Sequence, residues 1–364
     1  GISIKLKNSA NEELTDTNFT IPTGNETLQI KIVPTVNSQF GTPLDVQPEV
    51  TVTASNGTTS YDSTSTEGVK LENNVLTITS DAWKQMASTE NSMNITISAY
   101  PKDKTSLVAT ETITLTKAQP VATYLGSRLN GKLEKNLIYS AAGHVTTLPG
   151  YQGSDKVAKR TITFNPLYVL DQYGEIMKDG NGNNVVVSDP QYFKLYPAVQ
   201  VMNSDGTPKR DEYNQDVYEK KPNADPIVNN VTFTELISYG EENCPRLTLT
   251  NTKTESGLEL EAGYYWIEAA YTVNGQTLTA GDWLHLYKED KTTHPEAYEY
   301  TATVTASTDT IWVPYASEYA SSQPANQPSE VTLTATVKDQ YGDDVSGTVT
   351  MEIANQTIAS RNDQ

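Results

Sequence analysis

A four-residue turn occurs three times and sets the scale of this chain: Ser38-Gln39-Phe40-Gly41, Asp171-Gln172-Tyr173-Gly174 and Asp339-Gln340-Tyr341-Gly342. Each copy follows a strand-like run and precedes another. The glycine in fourth place permits the positive φ that such a turn needs. Asp or Ser in first place can hydrogen-bond the turn backbone. The aromatic ring in third place is expected to cap the end of a sandwich. The spacing from residue 38 to 171 to 339 is that of domains rather than hairpins. Gly41, Gly174, Gly342, Tyr173 and Tyr341 therefore read as structural markers of domain register.

The segments between the turns alternate polar and apolar residues with period two, as in Thr27-Leu28-Gln29-Ile30-Lys31-Ile32. That pattern puts one face on a core and the other in water. Strands are predicted at Ile2–Lys7, Asn18–Ile21, Thr27–Val36, Glu49–Ala54, Val69–Leu71, Val75–Thr79, Met93–Ala99 and Glu111–Leu115. Ser80–Met86 reads as one helical turn, with Ser80 or Asp81 as cap and Trp83 plugging the sandwich end. About eight short strands in roughly 115 residues is the signature of an immunoglobulin-like sandwich.

The whole chain reads as all-β: tandem immunoglobulin-like β-sandwich domains over residues 1–118, 119–295 and 296–364. The middle domain is expected to be elaborated by two insertions, Leu125–Lys156, which patterns poorly, and Asn203–Asp225, an exposed excursion. Its strands are predicted at Arg160–Leu170, Asn184–Val187, Tyr192–Leu195, Asn230–Thr234, Arg246–Thr250, Tyr264–Val273 and Thr277–Tyr287, with a hairpin at Asn274-Gly275. The last domain opens on Thr301-Ala302-Thr303-Val304-Thr305 and has strands at Val331–Val337 and Thr348–Ile353. That is too few to close a sandwich, so a truncated domain is expected.

The formal net charge is −19. Nucleic acid is thereby excluded as a partner, because its phosphates need Lys and Arg stripes. No stretch approaches the roughly 20 apolar residues of a spanning helix. The single cysteine, Cys244, rules out a disulfide within the chain and reads as a buried thiol. Of the three histidines, His144, His285 and His294, none sits in a hydrolase, zinc or phosphate-loop motif. A non-catalytic protein is expected.

Two ligand readings remain. Asp179, Asn181 and Asn183 place oxygen ligands at alternate positions, like the start of a Ca²⁺ loop. Asn184 stands where that loop needs Gly, and Pro190 where it needs Glu, so a polar hairpin explains the stretch equally well. Tyr213, Tyr218, Trp283, Tyr287 and Trp312, with Tyr298 and Tyr300, could offer ring faces to sugars. The alternative is that they fill a tyrosine-rich core.

The repeated turn resembles a feature of bacterial immunoglobulin-like domains, as found in S-layer proteins, Gram-positive adhesins and accessory modules of carbohydrate-active surface proteins. A second marker agrees. Glu261-Ala262-Gly263-Tyr264-Tyr265 resembles the tyrosine corner of immunoglobulin-like domains. That likeness implies that Tyr265 bonds back to nearby backbone, and that Ile267 sits where antibodies carry a cysteine. The resemblance further implies a structural or adhesive array at the bacterial cell surface, in cell wall or S-layer, facing an extracellular protein or glycan. A carbohydrate-binding surface module is the alternative it leaves open.

Overall fold

The computed structural model describes residues 1–64, 67–87, 89–140, 143–149, 159–237, 242–251, 253–254, 257–258, 260–288, 300–312, 327–347 and 350. The first unit holds eight strands: β1 (Ile2–Lys7), β2 (Asn18–Thr20), β3 (Thr27–Val36), β4 (Pro48–Ala54), β5 (Val69–Glu72), β6 (Val75–Thr79), β7 (Ser92–Pro101) and β8 (Ala109–Thr116). They form two four-stranded sheets, ordered β1-β3-β6-β5 and β2-β8-β7-β4. All pairs are antiparallel except β2 with β8. In immunoglobulin lettering this is A-B-E-D packed on A′-G-F-C. Alternation decides which side chains meet: Ile30, Ile32, Leu76 and Ile78 from one sheet face Val52, Ile95, Ile97 and Ile113 from the other, all buried. Each such side chain stabilises the fold by roughly 1.5–3 kcal/mol on burial.

The predicted turn after β6 is a 3-10 helix, Ser80–Gln85. Its N-cap is Thr79, which makes no side-chain cap bond, rather than Ser80 or Asp81. Ala82, not Trp83, is the residue fully buried there; Trp83 is half-buried.

The second unit comprises β9 (Tyr124–Leu129), β10 (Lys132–Lys135), β11 (Val145–Thr147), β12 (Lys159–Thr163), β13 (Tyr168–Leu170), β14 (Phe193–Gln200), β15 (Tyr218–Lys220), β16 (Val231–Ile237), β17 (Asn243–Thr250), the short pair β18 (Lys253–Thr254) and β19 (Gly257–Leu258), β20 (Gly263–Val273) and β21 (Gln276–Tyr287). The B strand is split: β13 pairs with β9, and β12 with β17, which pairs in turn with β16. The opposite sheet runs β11-β21-β20-β14-β15, with β11 parallel to β21. This is the same A-B-E-D on A′-G-F-C plan with one further strand beyond C. Asn274 and Gly275 both take positive φ between β20 and β21, as a two-residue hairpin requires.

Two expectations change here. Residues 125–149 are no loose decoration: they supply most of β9, with β10 and β11, and Leu125, Ile138 and Leu148 lie fully buried in the core, while residues 150–156 lie outside the described residues. The apolar period is hidden because the core residues are isolated: Leu125 lies in β9, Ile138 after β10 and Leu148 after β11. The excursion expected at Asn203–Asp225 is exposed only over its first part, which is ordered by bridges Met202↔Pro208 and Arg210↔Asp216; its second part holds β15, a strand of the sheet in which Tyr218 is half-buried. Residues 184–187 make isolated bridges rather than a strand. Cys244 is buried.

Of the third unit, β22 (Tyr300–Ala306) and β23 (Leu333–Asp339) pair antiparallel. The strand expected at Thr348–Ile353 lies almost wholly outside the described residues.

Candidate functional site

The repeated turn closes β3, β13 and β23, the B strand of each unit. At Asp171, the carboxylate accepts from Tyr173 N at 2.8 Å and Glu175 N at 3.0 Å, while Gly174 takes φ 81°. Asp339 repeats this with Tyr341 N and Asp343 N, both at 2.9 Å. Ser38 Oγ does it with Phe40 N and Thr42 N, both at 3.2 Å. The same loop also recurs inside units, rooted at Asn8, Asp179, Asn203 and Asp211. Its shape is thus a hairpin device; its position after strand B and the fate of its aromatic ring make it a domain marker.

That fate is the finding sequence could not supply. Tyr173, in the second unit, is buried in the hydrophobic core of the first. Its hydroxyl donates to Ile21 O at 3.0 Å and accepts from Ala118 N at 2.9 Å. Gln172 clamps the connecting segment: Oε1 accepts from Val121 N at 2.8 Å, and Nε2 donates to Gln119 O at 2.7 Å. Lys117, the first residue after β8, lies over Trp83 (5.0 Å) and Tyr173 (5.5 Å) and pairs with Glu175. Burial drives the junction charges toward their neutral forms, lowering the Lys117 amine pKa and raising that of the Asp171 carboxyl.

The next junction uses the same parts. Tyr341 of the third unit is buried in the core of the second. Lys288, the first residue after β21, lies 5.5 Å from the Tyr341 ring and pairs with Asp343 at 2.6 Å. Lysine after strand G, tyrosine in the following turn and an acid two residues later thus form one clasp, built twice. The ring caps the neighbouring sandwich rather than its own. Phe40 caps nothing among the described residues: it is 84% exposed, against the expectation for this position.

The tyrosine corner is present. Tyr265 is buried, and its hydroxyl donates to Glu261 O at 2.6 Å; Ile267 is buried two residues on.

Of the ring candidates, Tyr218, Trp283 and Tyr287 come together on the outer face of the β11-β21-β20-β14-β15 sheet. Tyr213 sits apart, 76% exposed in the excursion. Trp312 is half-buried, its backbone N–H donating to Pro328 O at 2.8 Å, and Tyr300 is exposed on β22. Tyr298 lies outside the described residues. The face also holds His144, Tyr264, Trp266 and His285, unnamed as ligand residues from sequence. For Tyr264, Trp266 and His285 the i, i+2 spacing on β20 and β21 is the signal that finds them; His144, just before β11, carries no such signal.

These rings mostly stack on each other. Tyr264 lies between Tyr218 (3.8 Å, 8°) and His285 (4.3 Å, 5°), so both its faces are covered. His144 covers one face of Trp283 (4.3 Å, 22°) and sets Nε2 2.6 Å from Asp282 Oδ2. Trp266 lies over Gly281, where a Cβ would meet its ring at 2.5 Å. Burial, then the hydrogen bond to Tyr264, holds the Tyr218 phenol above its ordinary pKa.

In the candidate Ca²⁺ loop, Asp179 Oδ1 accepts from Asn181 N at 2.8 Å and Asn183 N at 2.9 Å, which lowers its pKa. Among the described residues no three His, Cys, Asp or Glu side chains group to hold a metal ion.

No family model matches the chain, and no curated protein matches it. Among solved structures, it is similar to a protocadherin gammaB7 EC3-6 cis-dimer structure at 9% identity and TM-score 0.31, covering 91% of this chain and 56% of that one. The protocadherin gamma B2 extracellular cadherin domains 1-5 give 11% identity and TM-score 0.29 over 85% and 42%. The N-terminal Ig1-2 module of Drosophila receptor protein tyrosine phosphatase DLAR gives 11% and 0.20 over 79% and 99%. Likeness at this level carries no assignment; the immunoglobulin-like plan rests on the strand order and pairing above. No helix among the described residues is long and apolar enough to cross a membrane.

Proposed function

We propose that this chain is a non-catalytic structural segment of a bacterial cell-surface protein, in which clasped immunoglobulin-like sandwiches form a stiff spacer of the S-layer or adhesin-stalk type. The carrying observation is the clasp itself, with Tyr173 and Tyr341 each buried in the preceding sandwich. A flexible linker would let domains tumble; one whose backbone is held by Gln172 and whose neighbour is plugged by a ring resists bending. The near absence of cysteine and the acidic surface suit a bacterial exterior.

Small-angle scattering of the full chain tests this reading. A stiff rod supports it, and a flexible string of domains sinks it. Calcium at Asp179, Asn181 and Asn183 belongs to the same proposal as a rigidifying ion. Melting curves with and without EGTA test that part, and identical curves remove it.

Glycan binding is the second reading, favoured by one observation: Tyr287 stands 38% exposed beside the ring column. It draws less support than the spacer, because the column's ring faces are largely spent on one another. A polysaccharide pull-down with Trp283→Ala as control tests it.

A further inference from the structure

Five large apolar side chains stand exposed on two loops of the first sandwich: Phe40 (84%), Leu44 (46%), Val46 (43%), Leu107 (37%) and Val108 (50%). The first three lie between β3 and β4, the last two between β7 and β8. Pro48 of β4 faces Pro101 of β7, so both loops leave the same end of one sheet. A cluster of this kind marks a contact surface more often than a solvated tip.

The two junctions show what such a tip meets. Ser38, Asp171 and Asp339 root the same turn in the same place, after strand B, and Tyr173 and Tyr341 each enter the strand-G end of the preceding sandwich. Phe40 occupies the same third position. The backbone entry matches as well: Gly1 N donates to Asn37 O at 2.7 Å and Thr123 N to Leu170 O at 2.8 Å, each to the residue before the turn. Strands β1 and β9 therefore arrive beside their turns alike.

We infer that the Phe40 tip is a docking surface for the strand-G end of a further immunoglobulin-like sandwich on its N-terminal side. This rests on the array reading. The contact is more apolar than the two clasps: Phe40 has no hydroxyl for the neighbour's backbone, and Thr42 stands where Glu175 and Asp343 pair with lysine. Leu44, Val46, Leu107 and Val108 supply the added apolar area.

The test uses the full chain and a second form in which another copy of residues 1–122 precedes Gly1, so that Ala122 joins Gly1 as it natively joins Thr123. Both are labelled with fluorophenylalanine, and a soluble gadolinium chelate reports exposure by ¹⁹F relaxation. Phe40→Leu in one copy at a time assigns the signals. In the full chain Phe40 should be the most enhanced of the five phenylalanines. In the extended form the inner Phe40 should fall to the level of buried Phe164 and Phe193, while the outer copy stays enhanced. Amide exchange at Ala118 is read on the same samples, since its N–H is held by Tyr173. An enhanced inner Phe40 with Ala118 protected overturns this inference alone. Loss of protection at both overturns the junction reading with it.

Discussion

The Tyr173 hydroxyl of the second sandwich donates to the Ile21 carbonyl of the first at 3.0 Å, and the ring behind it is part of the first sandwich's core. The two units therefore share a side chain that neither can bury alone. Tyr173→Phe keeps the ring but leaves Ile21 O and Ala118 N without that partner, so a loss of about 1–3 kcal/mol is expected. Denaturant unfolding of the first sandwich checks it; an unchanged midpoint contradicts the bond.

The two clasps should differ in strength. Lys117 and Glu175 side chains are 15% and 33% exposed, against 40% and 60% for Lys288 and Asp343. Exposed pairs contribute about 0.2–1 kcal/mol, and less in salt. Double-mutant cycles should give the larger coupling at Lys117–Glu175, with the Lys288–Asp343 coupling fading in high salt.

Tyr265→Phe should cost about 1 kcal/mol by removing the 2.6 Å bond to Glu261 O, while leaving the fold intact. Thermal melting with an unchanged circular-dichroism spectrum reads both halves of that statement.

Burial and then the hydrogen bond to Glu242 push the Tyr168 phenol up to about 12. Its folded pKa lies above the unfolded value near 10, so its contribution to stability is complete below the unfolded value. It is lost as pH rises through the folded one. The full chain should therefore lose stability across that alkaline window, and Tyr168→Phe should lose less of it. Equal losses in the two proteins count against the shift.

Much of the fold was legible because the first sandwich keeps strict alternation; Thr27–Ile32 reads as a half-buried strand without help. Residues 125–149 were not legible, since Leu125, Ile138 and Leu148 are single core contacts on short or irregular segments. The turn was legible as a turn, because Gly174 and Asp171 carry local chemistry. The burial partner of Tyr173 was not, because it lies 152 residues away at Ile21 and depends on how two units meet. The outward rings of β20 and β21 were half legible: Trp283 and Tyr287 were named, while their stacking partners come from cross-strand register, as with Tyr264 opposite His285.

The clasp is tested most directly by the distance distribution between spin labels, one on the exposed surface of each of the first two sandwiches, measured by pulsed electron resonance. The intact chain should give one narrow distribution, and Tyr173→Ala should broaden it. A distribution equally broad in both proteins would contradict a clasped junction.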